Sequence, residues 1–106
     1  MDTQRPALDE IVRRLIATYE PERIYLFGSK ARGDDTLESD YDLMVIVPDD
    51  APPEKKRSAI GYRALRGTGT AVDILVWPRG VFAERSHLRS SLPHTVLTEG
   101  KLLYAA

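Results

Sequence analysis

Three aspartates are candidates for a metal-binding or catalytic site: Asp40, Asp42 and Asp73. Asp40 and Asp42 are two apart at the start of an apolar run, so on a strand their carboxylates share one face, roughly 6.5–7 Å apart. Like charges on one face repel each other and are costly to desolvate, which favours a hard cation such as Mg²⁺ between them. An isolated Asp-x-Asp is nevertheless more often part of a solvated loop.

Asp73 lies inside a second apolar segment, where alternate residues share a face. A lone aspartate on a strand is usually an edge or solvent-facing residue. A third carboxylate beside an existing pair, however, supplies what two-metal phosphoryl transfer requires. In such a site the pair holds the Mg²⁺ of a nucleotide, while Asp73 completes the second metal site and helps to deprotonate an attacking hydroxyl.

Gly28 and Ser29 form a second candidate site at the end of an apolar segment. Glycine lets the backbone turn tightly and approach a ligand, and Ser29 can present its N–H and hydroxyl at the start of a short helix. That geometry suits phosphate oxygens. Gly-Ser after a strand is in most cases only a turn, so these two residues alone leave both interpretations open.

The elements that must position these residues follow from apolar periodicity and from Gly and Pro boundaries. Strands are predicted over 23–27, 41–47 and 70–77, and helices over 8–19, 53–66, 81–88 and 93–99, with an extended piece at 102–104. Ser90 or Ser91 is the expected N-cap of the last helix and Gly100 its C-cap. Helices alternating with strands in the order αβαβαβα predict an α/β (α+β) fold, a small mixed sheet with flanking helices. The pattern leaves the sense of the third strand open.

Length, charge and composition limit the possible functions. The chain has 106 residues, which predicts a single domain over 1–106 with open clefts and no deep cavity of its own. Fifteen Lys and Arg against 16 Asp and Glu give a formal charge of −1, which disfavours direct binding of nucleic acid. With no Cys and two His, any metal is expected to be held by oxygen. No apolar run could span a membrane and no signal peptide begins the chain, so we expect a cytoplasmic protein.

Gly28-Ser29, ten intervening residues and Asp40-Tyr41-Asp42 reproduce the GS-x10-DxD signature of the polymerase-β-like nucleotidyltransferases. Segments 28–33 and 39–43 resemble the minimal nucleotidyltransferase (MNT) branch of that superfamily, and the resemblance covers nearly the whole chain. It implies the nucleotidyltransferase fold. It also implies an enzyme that transfers AMP from ATP to a hydroxyl acceptor with release of pyrophosphate.

The same resemblance implies roles for individual residues. Ser29 and the Gly28 backbone would hold the β- and γ-phosphates, Asp40 and Asp42 would bind Mg²⁺, and Asp73 would serve a second Mg²⁺ and the acceptor. Lys30 and Arg32 belong to the predicted nucleotide-binding set because either could neutralise the triphosphate. Arg32 could equally pair with a neighbouring carboxylate and hold the loop in place.

The acceptor is expected to come from another molecule, because nothing after Asp73 is long enough to be the second domain that holds it in larger relatives. The MNT resemblance implies a helical partner, a HEPN-type toxin, which the antitoxin neutralises by transferring AMP to a tyrosine. A hetero-oligomer is therefore predicted. Two other functions remain open: a non-catalytic antitoxin that blocks the toxin sterically, and a nucleotidyltransferase for a small hydroxylated molecule, completed by homodimerisation.

Overall fold

The structure is a computed structural model that describes residues 5–33 and 40–106. Its strands are β1 (Arg23–Phe27), β2 (Tyr41–Val47), β3 (Val72–Pro78) and β4 (Lys101–Ala105). Its helices are α1 (Arg5–Tyr19), α2 (Ser29–Arg32), a 3₁₀ helix (Pro53–Lys56), α3 (Ala59–Ala64), α4 (Arg79–Arg85) and α5 (Leu92–Glu99). Residues 34–39, which make up most of the spacing in the GS-x10-DxD signature, lie outside the described residues.

The four strands form one mixed sheet in the order β3-β2-β1-β4. β1 is antiparallel to both β2 and β4, while β2 is parallel to β3. An antiparallel neighbour begins where β1 ends, and a parallel neighbour begins level with β2. The end of β1 and the starts of β2 and β3 therefore meet at one end of the sheet. The predicted mixed sheet with flanking helices is confirmed, and the third strand is parallel to the second.

One face of the sheet is covered by α1 and α3. Ile11, Leu15 and Tyr19 follow one another every four residues on α1 and are buried. They pack against the inward side chains of the strands, which are Ile24, Leu26, Leu43, Val45, Val47 and Ile74. Because successive residues of a strand point to opposite faces, burying Leu43 and Val45 here sends Asp42 to the other face.

The other face is covered over only part of its length. Phe82 of α4 and Val96 of α5 pack on Tyr25, Met44 and Ile46. The Tyr25 and Phe82 rings are stacked, with centroids 5.9 Å apart. α4 directly follows β3 and so lies near the end of the sheet where β2 finishes, while α5 packs on β1 and leads into β4. The opposite end, where β2 and β3 begin, carries polar side chains.

The prediction of a single helix over 53–66 is wrong, because the structure has two helices separated by an extended Arg57 (φ −112°, ψ 144°). The Tyr19 hydroxyl donates to the Arg57 carbonyl at 2.6 Å and accepts from the Gly61 N–H at 3.0 Å. In a continuous helix those two backbone groups would bond to each other. A β-carbon at Gly61 would lie 2.7 Å from the Tyr19 hydroxyl. A side chain from α1 thus takes the place of one helical hydrogen bond.

The C-terminal part of the chain follows the prediction closely. Ser91 Oγ accepts the His94 N–H at 3.2 Å, and the Gly100 N–H donates to the Val96 carbonyl at 2.9 Å, so both predicted caps are present. The terminal extended piece is β4, which adds a fourth strand beside β1. No helix in the described part of the chain combines the length and apolar character that crossing a membrane requires.

Candidate active site

Three chain segments meet at the open end of the sheet: the turn at Gly28 after β1, the start of β2 with Asp40 and Asp42, and the start of β3 with Asp73. In the strand registers, Asp42 pairs with Phe27 of β1 on one side and with Asp73 of β3 on the other. Neighbouring strands lie about 4.8 Å apart, and paired residues point to the same face. The structure therefore makes Asp42 and Asp73 direct neighbours.

Gly28 brings the backbone against the Asp42 carboxylate. Its φ of 77° and ψ of −158° belong to a region that only glycine adopts freely. A β-carbon at this position would overlap Asp42 Oδ2 and lie 3.1 Å from the Asp42 carboxyl carbon. The Gly28 carbonyl accepts the N–H groups of Ala31 and Arg32, each at 3.1 Å, which turns the chain into α2 with Ser29 as its first residue. Glycine is thus required here for both the turn and the close approach.

The three carboxylates interact electrostatically at this end of the sheet. Asp42 is half-buried, whereas Asp40 and Asp73 are exposed. Burial raises the pKa of Asp42, and the negative charges of Asp73 and Asp40 raise it further, while the positive charge of Arg32 opposes them. Negative charge is therefore concentrated at this end of the sheet, and a cation bound there would relieve the repulsion.

The donor chemistry fits a hard divalent cation. Within residues 5–33 and 40–106, no three or more acidic or histidine side chains are gathered closely enough to enclose a metal by themselves. Two carboxylates in register remain a suitable donor set for Mg²⁺, since that ion commonly binds one or two carboxylates and completes its shell with water and substrate phosphates. The turn at Gly28 lies directly beside these carboxylates. A group bound to the Asp42 carboxylate would therefore lie close to the backbone of that turn.

Residues 8–102 match the family model described as a nucleotidyltransferase domain, which is nearly the whole chain. The chain belongs to the nucleotidyltransferase domain family. This confirms the family to which the GS-x10-DxD signature pointed. No curated protein matches this nucleotidyltransferase by sequence.

Solved structures share the fold at low sequence identity. A Sulfolobus solfataricus protein assigned as a nucleotidyltransferase has a TM-score of 0.62 and 23% identity, with 94% of this chain and 78% of that one covered. A toxin–antitoxin with AMP-PNP has a TM-score of 0.60 and 24% identity, with 92% and 73% covered. The tri-AMPylated Shewanella oneidensis HEPN toxin in complex with MNT antitoxin has a TM-score of 0.61 and 22% identity, with 98% and 74% covered. These similarities establish the nucleotidyltransferase fold.

The two predicted cationic residues of this nucleotidyltransferase lie on α2. Lys30 Nζ is 4.7 Å from the centroid of the Tyr41 ring, a cation–π distance. Arg32 is exposed, and its charge acts on Asp42. Ser29, Lys30 and Arg32 all belong to α2, which follows the turn at Gly28. Their roles toward a nucleotide stay predictions.

One tertiary contact of the site was not foreseen from the sequence. Tyr62 of α3 accepts a hydrogen bond from the Ile74 N–H at 3.0 Å, next to Asp73 in the chain. A tyrosine on a weakly amphipathic helix carries no sequence signal for such a contact. Trp77 lies four residues beyond Asp73, about 13 Å along the strand. There it packs edge-on against Phe82 (centroids 6.5 Å apart), away from the carboxylate end of the sheet.

Proposed function

We propose that this nucleotidyltransferase transfers AMP from ATP to a hydroxyl group, in an Mg²⁺-dependent reaction, and that the hydroxyl belongs to a tyrosine of a HEPN-type toxin. The observation that carries the proposal is the juxtaposition of Gly28, Asp42 and Asp73. The Gly28 backbone closely approaches the Asp42 carboxylate, and Asp42 pairs in register with Asp73, so all three lie at one end of the sheet.

Each residue has a part in the proposed reaction. The Gly28 backbone and Ser29 would bind the β- and γ-phosphates, Asp40 and Asp42 would hold Mg²⁺, and Asp73 would serve a second Mg²⁺ and accept the proton of the attacking hydroxyl. Bound Mg²⁺ would supply charge neutralisation on the phosphates and acidify the hydroxyl. The acceptor oxygen forms a bond to the α-phosphorus. The bond between that phosphorus and the oxygen that bridges it to the β-phosphorus breaks, and pyrophosphate leaves.

On α2, two cationic side chains would assist the triphosphate. Lys30 would reach it from its position above the Tyr41 ring. Arg32 has two compatible tasks, since its charge already acts on Asp42 and its side chain is exposed to solvent. We infer that Arg32 stabilises the carboxylate in the free protein and the phosphates in the bound state.

The partner and the nucleotide are supported by the neighbouring structures. One of them is an MNT antitoxin with a tri-AMPylated HEPN toxin, and another toxin–antitoxin carries AMP-PNP, an analogue of ATP. Asp73 is exposed at an open end of the sheet, so a tyrosine presented by another protein can approach it. A reaction that consumes ATP supports the proposal that the complex acts in the cytoplasm.

The test is AMP transfer to the helical protein that co-purifies with the chain, read by intact-protein mass after addition of Mg-ATP. We expect a mass increase of one or more AMP groups with the wild type, and none without Mg²⁺. Asp42→Asn should lose both Mg-ATP binding and transfer. Asp73→Asn should keep most binding and lose transfer by about 10²–10⁴-fold. Asp9→Asn, which neutralises an exposed acid on α1, is the matched control and should behave as wild type.

The alternatives give different results in the same assays. If Asp42→Asn and Asp73→Asn neutralise the toxin in cells as well as the wild type does, the protein acts by steric binding and the enzymatic proposal fails. If the partner's mass stays constant while a small hydroxylated compound gains AMP, the acceptor assignment is wrong and the nucleotidyltransferase activity stands.

A further inference from the structure

The predicted acceptor-side carboxylate, Asp73, is carried by an edge strand. β3 pairs with β2 on one side; in the described part of the chain no strand pairs with its other side, which is the free edge of the sheet. Backbone N–H groups on a free edge need a partner outside the sheet or water. A strand held by one ladder of hydrogen bonds is restrained less than the central strands. The position of Asp73 therefore depends on whatever contacts this free edge.

Tyr62 contacts the free edge directly beside Asp73. Its hydroxyl oxygen accepts the Ile74 N–H with an O···N distance of 3.0 Å. Because the N–H groups of successive residues point to opposite sides of a strand, those of Asp73 and Leu75 point toward β2. Tyr62 and β2 thus hold adjacent residues of β3 from opposite sides. The Tyr62 side chain is 44% exposed, so burial alone does not hold it there.

The helix that carries Tyr62 is itself fixed to the core. The Gly61 N–H donates to the hydroxyl of Tyr19, a side chain that is 1% exposed. A β-carbon at Gly61 would lie 2.9 Å from Ile74 Cδ1, so α3 also packs closely on β3. Tyr62 therefore links the free edge of β3 to an element whose place is set by α1. Movement of β3 away from β2 would push Ile74 N against a fixed hydroxyl.

Such a restraint has a physical purpose at this position. Asp42 and Asp73 are paired in register, and like charges on directly opposite positions of neighbouring strands destabilise the pairing. β2 is held on its far side by β1, so repulsion displaces the edge strand rather than β2. We propose that Tyr62 is a positioning residue that holds Asp73 beside Asp42. The proposal rests on the proposed function only in assigning Asp73 to the metal and the acceptor.

The test compares Tyr62→Phe, which removes only the hydroxyl, with Tyr25→Phe as a matched control. The Tyr25 hydroxyl accepts a hydrogen bond from Arg23 at 3.0 Å on the same sheet, away from the free edge of β3. Hydrogen exchange of the Asp73 and Leu75 amides is followed by NMR in the metal-free protein. We expect about fivefold faster exchange in Tyr62→Phe, the factor that one hydrogen bond of ordinary net strength represents, and no change in Tyr25→Phe.

A second pair of variants separates positioning from simple structural support. In an Asp42→Asn background the repulsion is gone, so Tyr62→Phe should accelerate exchange by less than about twofold. The same acceleration in both backgrounds would show that Tyr62 is only structural, and unchanged exchange in Tyr62→Phe would show that it does not restrain β3. Either result overturns the proposal. Because exchange is measured without nucleotide, failure of wild-type AMP transfer would refute the proposed function and leave this result intact.

Discussion

Replacing Gly28 by alanine tests the close approach of the β1–α2 turn to the Asp42 carboxylate. The substitution has two separable effects. First, an alanine at φ 77° is strained whatever surrounds it. Second, its β-carbon would overlap Asp42 Oδ2 and force that carboxylate to move. Gly67→Ala provides the control, because Gly67 also has a positive φ of 86° and has no atom within 4 Å of its β-carbon position.

The two effects differ in size and in what they change. Backbone strain of about 1–3 kcal/mol is expected for both variants, which lowers the Tm of a domain this small by about 4–8 °C for each kcal/mol. Moving the Asp42 carboxylate should in addition weaken its interaction with the charged ligand, which lowers the binding free energy by about 1.5–3 kcal/mol. That cost corresponds to Mg-ATP binding that is roughly 10- to 100-fold weaker in Gly28→Ala alone.

Titration calorimetry with Mg-ATP, well below the Tm of both variants, measures the difference. We expect Gly67→Ala to bind Mg-ATP like the wild type in spite of its lower Tm. Equal affinities for Gly28→Ala and Gly67→Ala would refute the reasoning, because they would show that the Gly28 turn does not govern the Asp42 carboxylate as the structure indicates.

Two further predictions concern stability. Tyr19→Phe leaves the buried Gly61 N–H and the Arg57 carbonyl without the hydroxyl that joins them, so urea unfolding should show a loss of about 1–3 kcal/mol; a loss below about 0.5 kcal/mol would contradict the bridging role. Burial, and then the charges of Asp73 and Asp40, raise the pKa of Asp42 above its ordinary value. The native state therefore binds this proton more tightly than the unfolded state does. The free energy of unfolding should consequently fall as the pH rises from the ordinary pKa to the raised pKa. Asp42→Asn should flatten this fall and raise the Tm of the metal-free protein at neutral pH; an equal Tm change at acid and neutral pH would contradict the assignment.

Local sequence pattern predicted the central strands residue by residue. Strands at 23–27 and 41–47 coincide with β1 and β2, because β-branched and aromatic residues are bounded there by Pro, Gly and charged positions. The C-terminal caps at Ser91 and Gly100 were predictable for the same reason. These features depend on residues within a few positions of one another, and the chain alone carries that information.

The acidic groups at this end of the sheet and the family were also predictable from the sequence. Period-two alternation places Asp42 on the face opposite Leu43 and Val45, and in the structure those two residues pack in a different cluster from Met44 and Ile46. The GS-x10-DxD signature predicted the family, which the match over residues 8–102 confirms. The roles of the individual site residues stay predictions, since sequence pattern establishes which groups are present and not what they bind.

Contacts between distant segments decided the rest. Three contacts join residues that no local pattern relates. They are the parallel pairing of Asp42 with Asp73, the Tyr19 hydroxyl between Arg57 and Gly61, and the hydrogen bond from Ile74 to Tyr62. Gly61 illustrates the difference: glycine is an unfavourable residue within a helix, yet in the structure it lets α3 pack on Tyr19 and Ile74. The amino-acid sequence by itself determined the strands, the family and the acidic groups. Only the tertiary structure decided which groups meet, because strand order, register and helix breaks depend on packing across the whole core.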